Sequence, residues 1–247
     1  MPQPFSRIVP NANIRLCTDA LITLPDMAVL VTEIFAIWTH IEQEMSHLLV
    51  VVLGANESPA MAIYSILTAQ HLQNKALEAA AKAALSPEDY QIFLAVISVV
   101  ESVQSPRNQL AHWVWGKCDK RPELLALADP KMIEKRNFHL TQHLDKSTPL
   151  ADLMNEIRDF DDSQVVGYSK ADLERTKQNL LDAKEMLFHL RAYLKPDHLK
   201  PFVPTAKVFD PAVIRGHILD LLNEKRLFQE ALARICGDQQ NTHPQQQ

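Results

Sequence analysis

The chain has 247 residues, of which 47% are apolar and 22% are charged, a composition typical of a globular protein with a sizeable core. Its formal net charge is −5, which argues against binding of nucleic acid through bulk attraction and requires any such contact to be local. Three widely separated cysteines exclude a disulfide framework, and without a signal peptide or a membrane-spanning apolar run we expect a cytoplasmic protein that contacts no membrane.

The first elements in chain order are predicted to be an extended arm and two helices. Residues 1–25 have little periodicity and are assigned to the arm. Residues 26–53 carry apolar side chains at three- and four-residue steps, the pattern of a long amphipathic helix, and Gly54 is expected to end it. A second helix is predicted from Ser58, a capping serine followed by proline, to about Leu85.

Two further Ser-Pro pairs, at Ser86-Pro87 and Ser105-Pro106, predict a third and a fourth helix start, because proline is tolerated in the first turn of a helix. Three such starts within about fifty residues indicate helices joined by tight breaks. Glycine is scarce, with 5 residues, which disfavours hairpins. We therefore predict an all-α fold, an up-and-down helical bundle.

Residues 117–168 differ in character and are predicted to form a partly irregular insertion carried on the bundle. Within them, ELLALADP at 123–130 could form a short strand, and NFHLTQHL at 137–144 could pair with that strand or form a helical turn. Helical periodicity returns over 169–194, where Ser169 and an acid three residues later resemble a capping box.

These patterns predict one domain over 26–194, which includes the insertion. Residues 195–210 are rich in proline and are read as a linker. Residues 211–236 predict an extra amphipathic C-terminal helix, which could pack on the bundle or on a partner. Residues 237–247 are expected to be a disordered tail.

The stretch SPRNQLAHWVWG, at 105–116, places polar residues where a core helix would not need them. On a helix that starts at Ser105, the residues Asn108, His112 and Trp115 follow the spacing i, i+4, i+7 and line one stripe. Arg107 lies about 140° around the helix from His112, at about 100° per residue. Its long side chain could still reach an anion beside the imidazole, and the free N–H groups of a helix start would favour that anion.

RNQLAH resembles the R-x(4–6)-H motif of the HEPN superfamily (higher eukaryotes and prokaryotes nucleotide-binding), and asparagine directly after the arginine is the form typical of its ribonuclease members. The resemblance covers residues 26–116, with the helix at 169–194 as a return helix. It implies a HEPN-like bundle that cleaves RNA without a metal or cofactor. In that chemistry His112 is the general base or acid, Arg107 stabilises phosphoryl charge, and Asn108 orients the histidine or the phosphate.

The resemblance also implies a homodimer, because members of the superfamily commonly join two such helices into one composite site. The contact is expected around residues 86–116. It leaves open whether an antitoxin or a nucleotidyltransferase-like partner is needed, and whether the setting is a toxin–antitoxin pair or phage defence. Trp113 or Trp115 could stack on an unpaired base of the RNA, or could simply pack in the core.

The spacing alone carries little information, since 11 arginines and 10 histidines in this chain give roughly one match by chance. Three matches occur, and the other two are Arg136/His143 and Arg191/His198. The Arg107/His112 match is set apart by its predicted position at a helix start. The Arg136/His143 match lies in the insertion, and the Arg191/His198 match spans Pro196.

Glu42 lies within the apolar stripe of the first helix, where a carboxylate is costly unless it is paired. We expect it to face Arg107 and position the guanidinium, or to form an ion pair that only locks two helices together. His40, Glu44 and His47 share one face and could bind a metal, but exposed polar residues often align by accident, so no metal site is predicted.

Two alternatives to the nuclease stay open. One is a non-catalytic HEPN-like module that binds a partner protein or a nucleotide, which the acidic balance favours. The other is a helical regulatory protein with no link to the family, in which RNQLAH is a coincidence.

Overall fold

The structure is a computed structural model. It describes residues 2–10, 12–144, 164–197, 199 and 210–241. Within these ranges the chain is mostly helical and contains a small antiparallel sheet. It divides into two compact units, here called the sheet unit (1–35 and 105–178) and the helical unit (36–104 and 179–247).

The helices and strands have the following bounds. The helices are α1 (Phe5–Ile8), α2 (Pro25–Leu53), α3 (Glu57–Ile66), α4 (Gln70–Ala84), α5 (Pro87–His112), α6 (Pro130–Leu144), α7 (Lys170–Leu194), α8 (Pro211–Asn223) and α9 (Arg226–Asn241). The strands are β1 (Gln3–Pro4), β2 (Ile14–Leu16), β3 (Val114–Cys118), β4 (Leu125–Ala128) and β5 (Val165–Tyr168). None of the helices in the described ranges combines the length and apolar character that crossing a bilayer requires.

The five strands of the sheet unit pair antiparallel in the order β1-β5-β4-β3-β2. One face packs against α1 and α6 through a cluster of small and medium apolar side chains. Its members include Phe5, Ala12, Cys118, Leu124, Ala126, Ala128 and Val165, with Ile8, Met132 and Ile133 packed against them. Gly167 of β5 has no room for a side chain on this face, since a Cβ would lie 2.8 Å from Ile8.

The opposite face of the sheet carries the alternate residues of each strand, among them Trp115, Leu127 and Tyr168. The C-terminal end of α5 lies over this face. Two contacts fix it there: the Tyr168 hydroxyl donates to Gln109 Oε1 at 2.6 Å, and the Trp115 indole N–H donates to the Leu110 carbonyl at 3.0 Å.

The helical unit buries apolar side chains from α2, α4, α5, α7, α8 and α9. The two C-terminal helices pack within it, since Ile218, Leu222 and Phe228 are buried. Arg215 of α8 binds Asp89 of α5, which also accepts a hydrogen bond from the Tyr193 hydroxyl of α7 at 2.9 Å. The C-terminal segment is therefore held by its own chain.

The prediction of a mostly helical fold is confirmed. The predicted all-α class is incomplete, because the described residues also form a five-stranded sheet. Residues predicted as an insertion supply β3, β4, α6 and β5, and residues predicted as an arm supply β1 and β2. The suggested strand in 123–130 is confirmed as β4. The segment 137–144 belongs to α6 and is not a pairing strand. Residues 145–163 of the insertion lie outside the described residues.

Some helix boundaries differ from the predicted ones. The second predicted helix is two, α3 and α4, and the cap position of α3 is Asn56, one residue before the helix starts, so Ser58 is not the cap. The expected start at Ser105 is wrong, because α5 continues through Pro106. The C-terminal helix is also two, and α9 reaches Asn241, so the predicted tail begins inside a helix; residues 242–247 and most of the predicted linker lie outside the described residues.

The capping predictions at Ser86 and Ser169 are confirmed. Ser86 Oγ accepts from the N–H of Asp89 at 3.1 Å. Ser169 Oγ accepts from the N–H of Asp172 at 3.2 Å, and the N–H of Ser169 donates to the Asp172 carboxylate at 3.2 Å. This reciprocal pair is a capping box with the shorter acid.

Candidate functional site

The RNQLAH motif lies at the C-terminal end of a long helix. Arg107 and Asn108 lie in the last two turns of α5, and His112 is its final residue. Pro106 has no N–H to donate to the carbonyl four residues earlier, yet the helix continues past it. The expected anion site at a helix N-terminus is therefore wrong, since this end presents carbonyl groups and the negative end of the dipole.

The Arg107 side chain is partly buried and held by two neighbours in the sheet unit. Its Nη1 donates to Asn108 Oδ1 at 3.1 Å. Its Cζ lies 5.9 Å from the ring centroid of Phe35, within cation–π range. These contacts place the guanidinium beside the motif asparagine.

His112 is exposed at the end of α5. Because a single helix covers both residues, Asn108 and His112 share a face at i, i+4, as expected from the spacing. Arg107 leaves the helix about 140° away from His112. In one chain the imidazole and the guanidinium therefore start from different sides of α5.

Trp115 does not continue the stripe of Asn108 and His112, so that expectation is wrong. The helix ends at His112, and Trp115 lies on β3. Its indole N–H donates to the Leu110 carbonyl at 3.0 Å, one of the last carbonyls of α5 that has no partner inside the helix. The partly buried Trp115 therefore ties the strand to the end of the motif helix.

Sequence reasoning missed the contact between Gln109 and Tyr168. Tyr168 is fully buried, and its hydroxyl donates to Gln109 Oε1 at 2.6 Å. Burial raises the pKa of this tyrosine, and the nearby charge of Asp172 raises it further. No spacing rule could have joined two residues 59 positions apart, but the contact fixes the middle of RNQLAH to the sheet.

Glu42 lies in the helical unit and is half-buried, and Trp38 donates its indole N–H to Glu42 Oε1 at 2.6 Å. The hydroxyl of Tyr64 is nearby, and burial together with the charge of Glu42 raises the pKa of Tyr64 to about 12. The hydrogen bond from Trp38, on the same helix, therefore offsets part of the free-energy cost of burying the Glu42 carboxylate. The pairing of Glu42 with Arg107 stays a prediction, since the two residues belong to different units.

Two of the three residues considered for a metal, Glu44 and His47, lie against other partners. Glu44 Oε2 lies 3.1 Å from Arg191 Nε, and His47 Nδ1 lies 3.4 Å from Glu57. In the part of the chain that the structure describes, no three histidine, cysteine or acidic side chains are grouped as a metal site.

The structure places the arginines of the other two R-x(4–6)-H matches on different helices. Arg136 and His143 both lie on α6, so the Arg107 match is not the only one whose two residues share a helix among the described residues. The side chains of Arg136 and His143 are outside the part of the chain that the structure describes. Arg191 lies on α7, which ends at Leu194, and His198 is outside the described residues. For the Arg107 match the structure describes the side chains of both the arginine and the following asparagine, and they form a hydrogen bond.

Comparison with known proteins found no protein-family model, no curated protein and no solved structure that matches this chain. The resemblance to the HEPN superfamily therefore depends on RNQLAH and on the helices around it. The structure adds the geometry of that motif.

Proposed function

We propose that this chain is a metal-independent endoribonuclease of the HEPN type, in which Arg107, Asn108 and His112 act on RNA. The observation that carries the proposal is the end of α5. There an arginine is held by the adjacent asparagine, and the same helix ends in an exposed histidine on the asparagine's side. These are a cation that can bind a phosphate and an imidazole that can accept or donate a proton.

The proposed reaction is a transesterification. The ribose 2′-oxygen attacks the adjacent phosphorus while its proton passes to one imidazole. The bond from phosphorus to the 5′-oxygen breaks, and a second imidazole gives a proton to that oxygen. The products carry a 2′,3′-cyclic phosphate and a 5′-hydroxyl, and Arg107 stabilises the charge that grows on the phosphoryl oxygens.

A composite site in a homodimer supplies the second imidazole. One chain offers a single motif histidine, and Arg107 leaves α5 about 140° away from it. A second copy brings His112 to the other side of the same phosphate. We propose that the helices around residues 86–116 meet across the two-fold axis of a HEPN-like dimer in the cytoplasm.

The test compares the wild type with Arg107→Ala, Asn108→Ala and His112→Ala on mixed single-stranded RNA in EDTA. His40→Ala is the matched control, because His40 is also exposed on a long helix. The wild type and the control should cleave, and the His112 and Arg107 variants should lose about 100-fold or more. Equal inertness, or equal cleavage, of all forms would overturn the proposal.

The dimer has its own test. Wild-type and His112→Ala proteins are unfolded, mixed in equal amounts and refolded together, so that mixed dimers form. Because the composite site needs the imidazoles of both subunits, mixed dimers should be inactive, and the mixture should keep about a quarter of the activity of the same total amount of wild type. An activity of about one half, at a protein concentration where dimers are seen by light scattering, contradicts the composite site.

The second candidate is a non-catalytic HEPN-like module that binds a partner protein or a nucleotide. Two observations favour it: the motif lies at the carbonyl end of α5, which does not attract anions, and the chain carries a net charge of −5. Under this alternative RNA stays intact with every variant, and only partner binding changes.

A further inference from the structure

Two basic side chains face each other at one edge of the sheet. The register of β2 and β3 places Arg15 directly opposite Lys117, and in the described sheet β2 is an edge strand. Trp115 precedes Lys117 by two residues and therefore points to the same face.

This face is the one that carries the end of the motif helix. Trp115 and Tyr168 both point to it, and their hydrogen bonds to Leu110 and Gln109 hold α5 there. The end of α5 that carries His112 therefore lies on the same side of the sheet as the basic pair. Only Trp113 lies between His112 and the start of β3, and the five steps from His112 to Lys117, at about 3.3 Å each, put Lys117 within about 16 Å of it.

The charges at this edge are incompletely balanced. Like charges directly opposite each other on neighbouring strands destabilise a sheet. Asp19 binds Lys117 at 2.9 Å, and hydrogen bonds from Lys117 and Cys17 lower the pKa of Asp19. Arg15 is exposed, and no carboxylate of the described residues forms an ion pair with it. An anion between Arg15 and Lys117 would relieve the repulsion.

We propose that Arg15 and Lys117 bind the sugar–phosphate backbone of single-stranded RNA beside the cleavage motif, a proposal that rests on the proposed function. The pair extends the RNA contact from His112 along β3 to the sheet edge. Asp19 holds Lys117 when RNA is absent and competes with the phosphate for it. In this way an acidic chain gains the local positive charge that an RNA substrate requires.

The competing explanation is structural. Charged residues on an edge strand prevent sheets of different molecules from pairing. Under that explanation the two side chains matter for solubility and have no effect on RNA.

The test measures RNA binding by fluorescence anisotropy in the His112→Ala background, so that the labelled single-stranded RNA stays intact, between 50 and 200 mM salt. Each phosphate contact to single-stranded RNA contributes about 0.7 to the slope of log affinity against log salt. Arg15→Gln combined with Lys117→Gln should therefore lower the slope by about 1.4. Asp19→Asn should act in the opposite direction and tighten binding, because it releases Lys117.

The matched control is Arg7→Gln combined with Lys131→Gln. It removes the same charge from exposed positions on α1 and α6, the helices that pack on the other face of the sheet. The control should leave the slope unchanged. Circular dichroism checks folding, and Arg15→Gln alone, at an exposed position, serves if the double variant does not fold; its expected slope change is about 0.7.

Equal slopes for the two double variants would overturn the proposal, as would aggregation of the Arg15/Lys117 variant with unchanged RNA affinity. So would the absence of RNA binding in the parent protein. RNA binding that depends on the pair, together with a wild type that does not cleave, keeps this proposal and refutes the nuclease. Cleavage by the Arg15→Gln/Lys117→Gln variant with the KM of the wild type refutes this proposal and keeps the nuclease.

Discussion

Replacing Tyr168 by phenylalanine removes one oxygen atom from the contact that fixes the motif helix to the sheet. Tyr168 is 0% exposed, and its hydroxyl donates to Gln109 Oε1 at 2.6 Å. The variant loses this hydrogen bond and leaves the partly buried amide oxygen without its donor. We expect a cost of about 1–2 kcal/mol in the free energy of unfolding.

Tyr64→Phe is the matched comparison, because Tyr64 is also buried, at 5% exposure, and its hydroxyl has no hydrogen-bond partner among the described residues. Removing an unsatisfied buried hydroxyl costs nothing or stabilises by up to about 1 kcal/mol. The same chemical change is therefore expected to destabilise the fold at Tyr168 and not at Tyr64.

Urea unfolding followed by circular dichroism measures both effects. With a slope of about 2 kcal/mol per molar urea, Tyr168→Phe should lower the midpoint by about 0.5–1 M and leave the slope unchanged. Tyr64→Phe should leave the midpoint unchanged or raise it. Equal losses in the two variants would refute the reasoning, because hydrogen bonding would then not distinguish the two hydroxyls.

Three further predictions concern stability. Pro106→Ala restores an N–H that can reach the carbonyl of Ser102 in α5, so the variant should gain about 1–2 kcal/mol in urea unfolding; a loss would show that proline is favoured there. Ser169→Ala removes the cap of α7 and should cost about 1 kcal/mol, whereas no change would contradict the capping box. Tyr64, with its pKa raised to about 12 against an unfolded value near 10, keeps its proton only in the folded chain between these values. The free energy of unfolding is therefore unaffected by this titration below pH 10 and falls as pH rises from 10 toward 12, so unfolding of Tyr64→Phe should depend less on pH in this window.

Long periodic segments of the fold could be predicted from the sequence. The helix over 26–53 follows from the apolar steps of residues such as Ile34 and Ile41, which are fully buried in α2. The sheet could not be predicted in the same way. β2 has three residues and pairs with a strand about one hundred positions later, so neither length nor alternation marks it.

The Ser-Pro pairs illustrate how tertiary packing overrides a local signal. Ser86-Pro87 does start a helix, but Ser105-Pro106 lies inside one. Val103 precedes Pro106 and Leu110 follows it, and both side chains are buried. Their burial favours a helix before and after the proline, where proline alone would favour a helix break. The sequence cannot show this, because the residues that cover them are distant in the chain.

The candidate site was predictable only in part. The shared face of Asn108 and His112 follows from their spacing on a helix and agrees with the structure. The position of Trp115 could not be read from spacing, because it depends on where α5 ends and β3 begins. The contact of Gln109 with Tyr168 depends on a strand formed far along the chain.

The most direct measurement uses two labelled oligonucleotides of one sequence, an RNA and its fully 2′-O-methylated form, incubated with the wild type and His112→Ala in EDTA. Mass spectrometry then identifies the ends of any fragments. We predict that the wild type cuts only the RNA and leaves 2′,3′-cyclic phosphate ends, and that His112→Ala leaves both oligonucleotides intact. Intact RNA with the wild type, cutting of the methylated strand, or equal cutting by His112→Ala would contradict an attack by the 2′-hydroxyl assisted by His112.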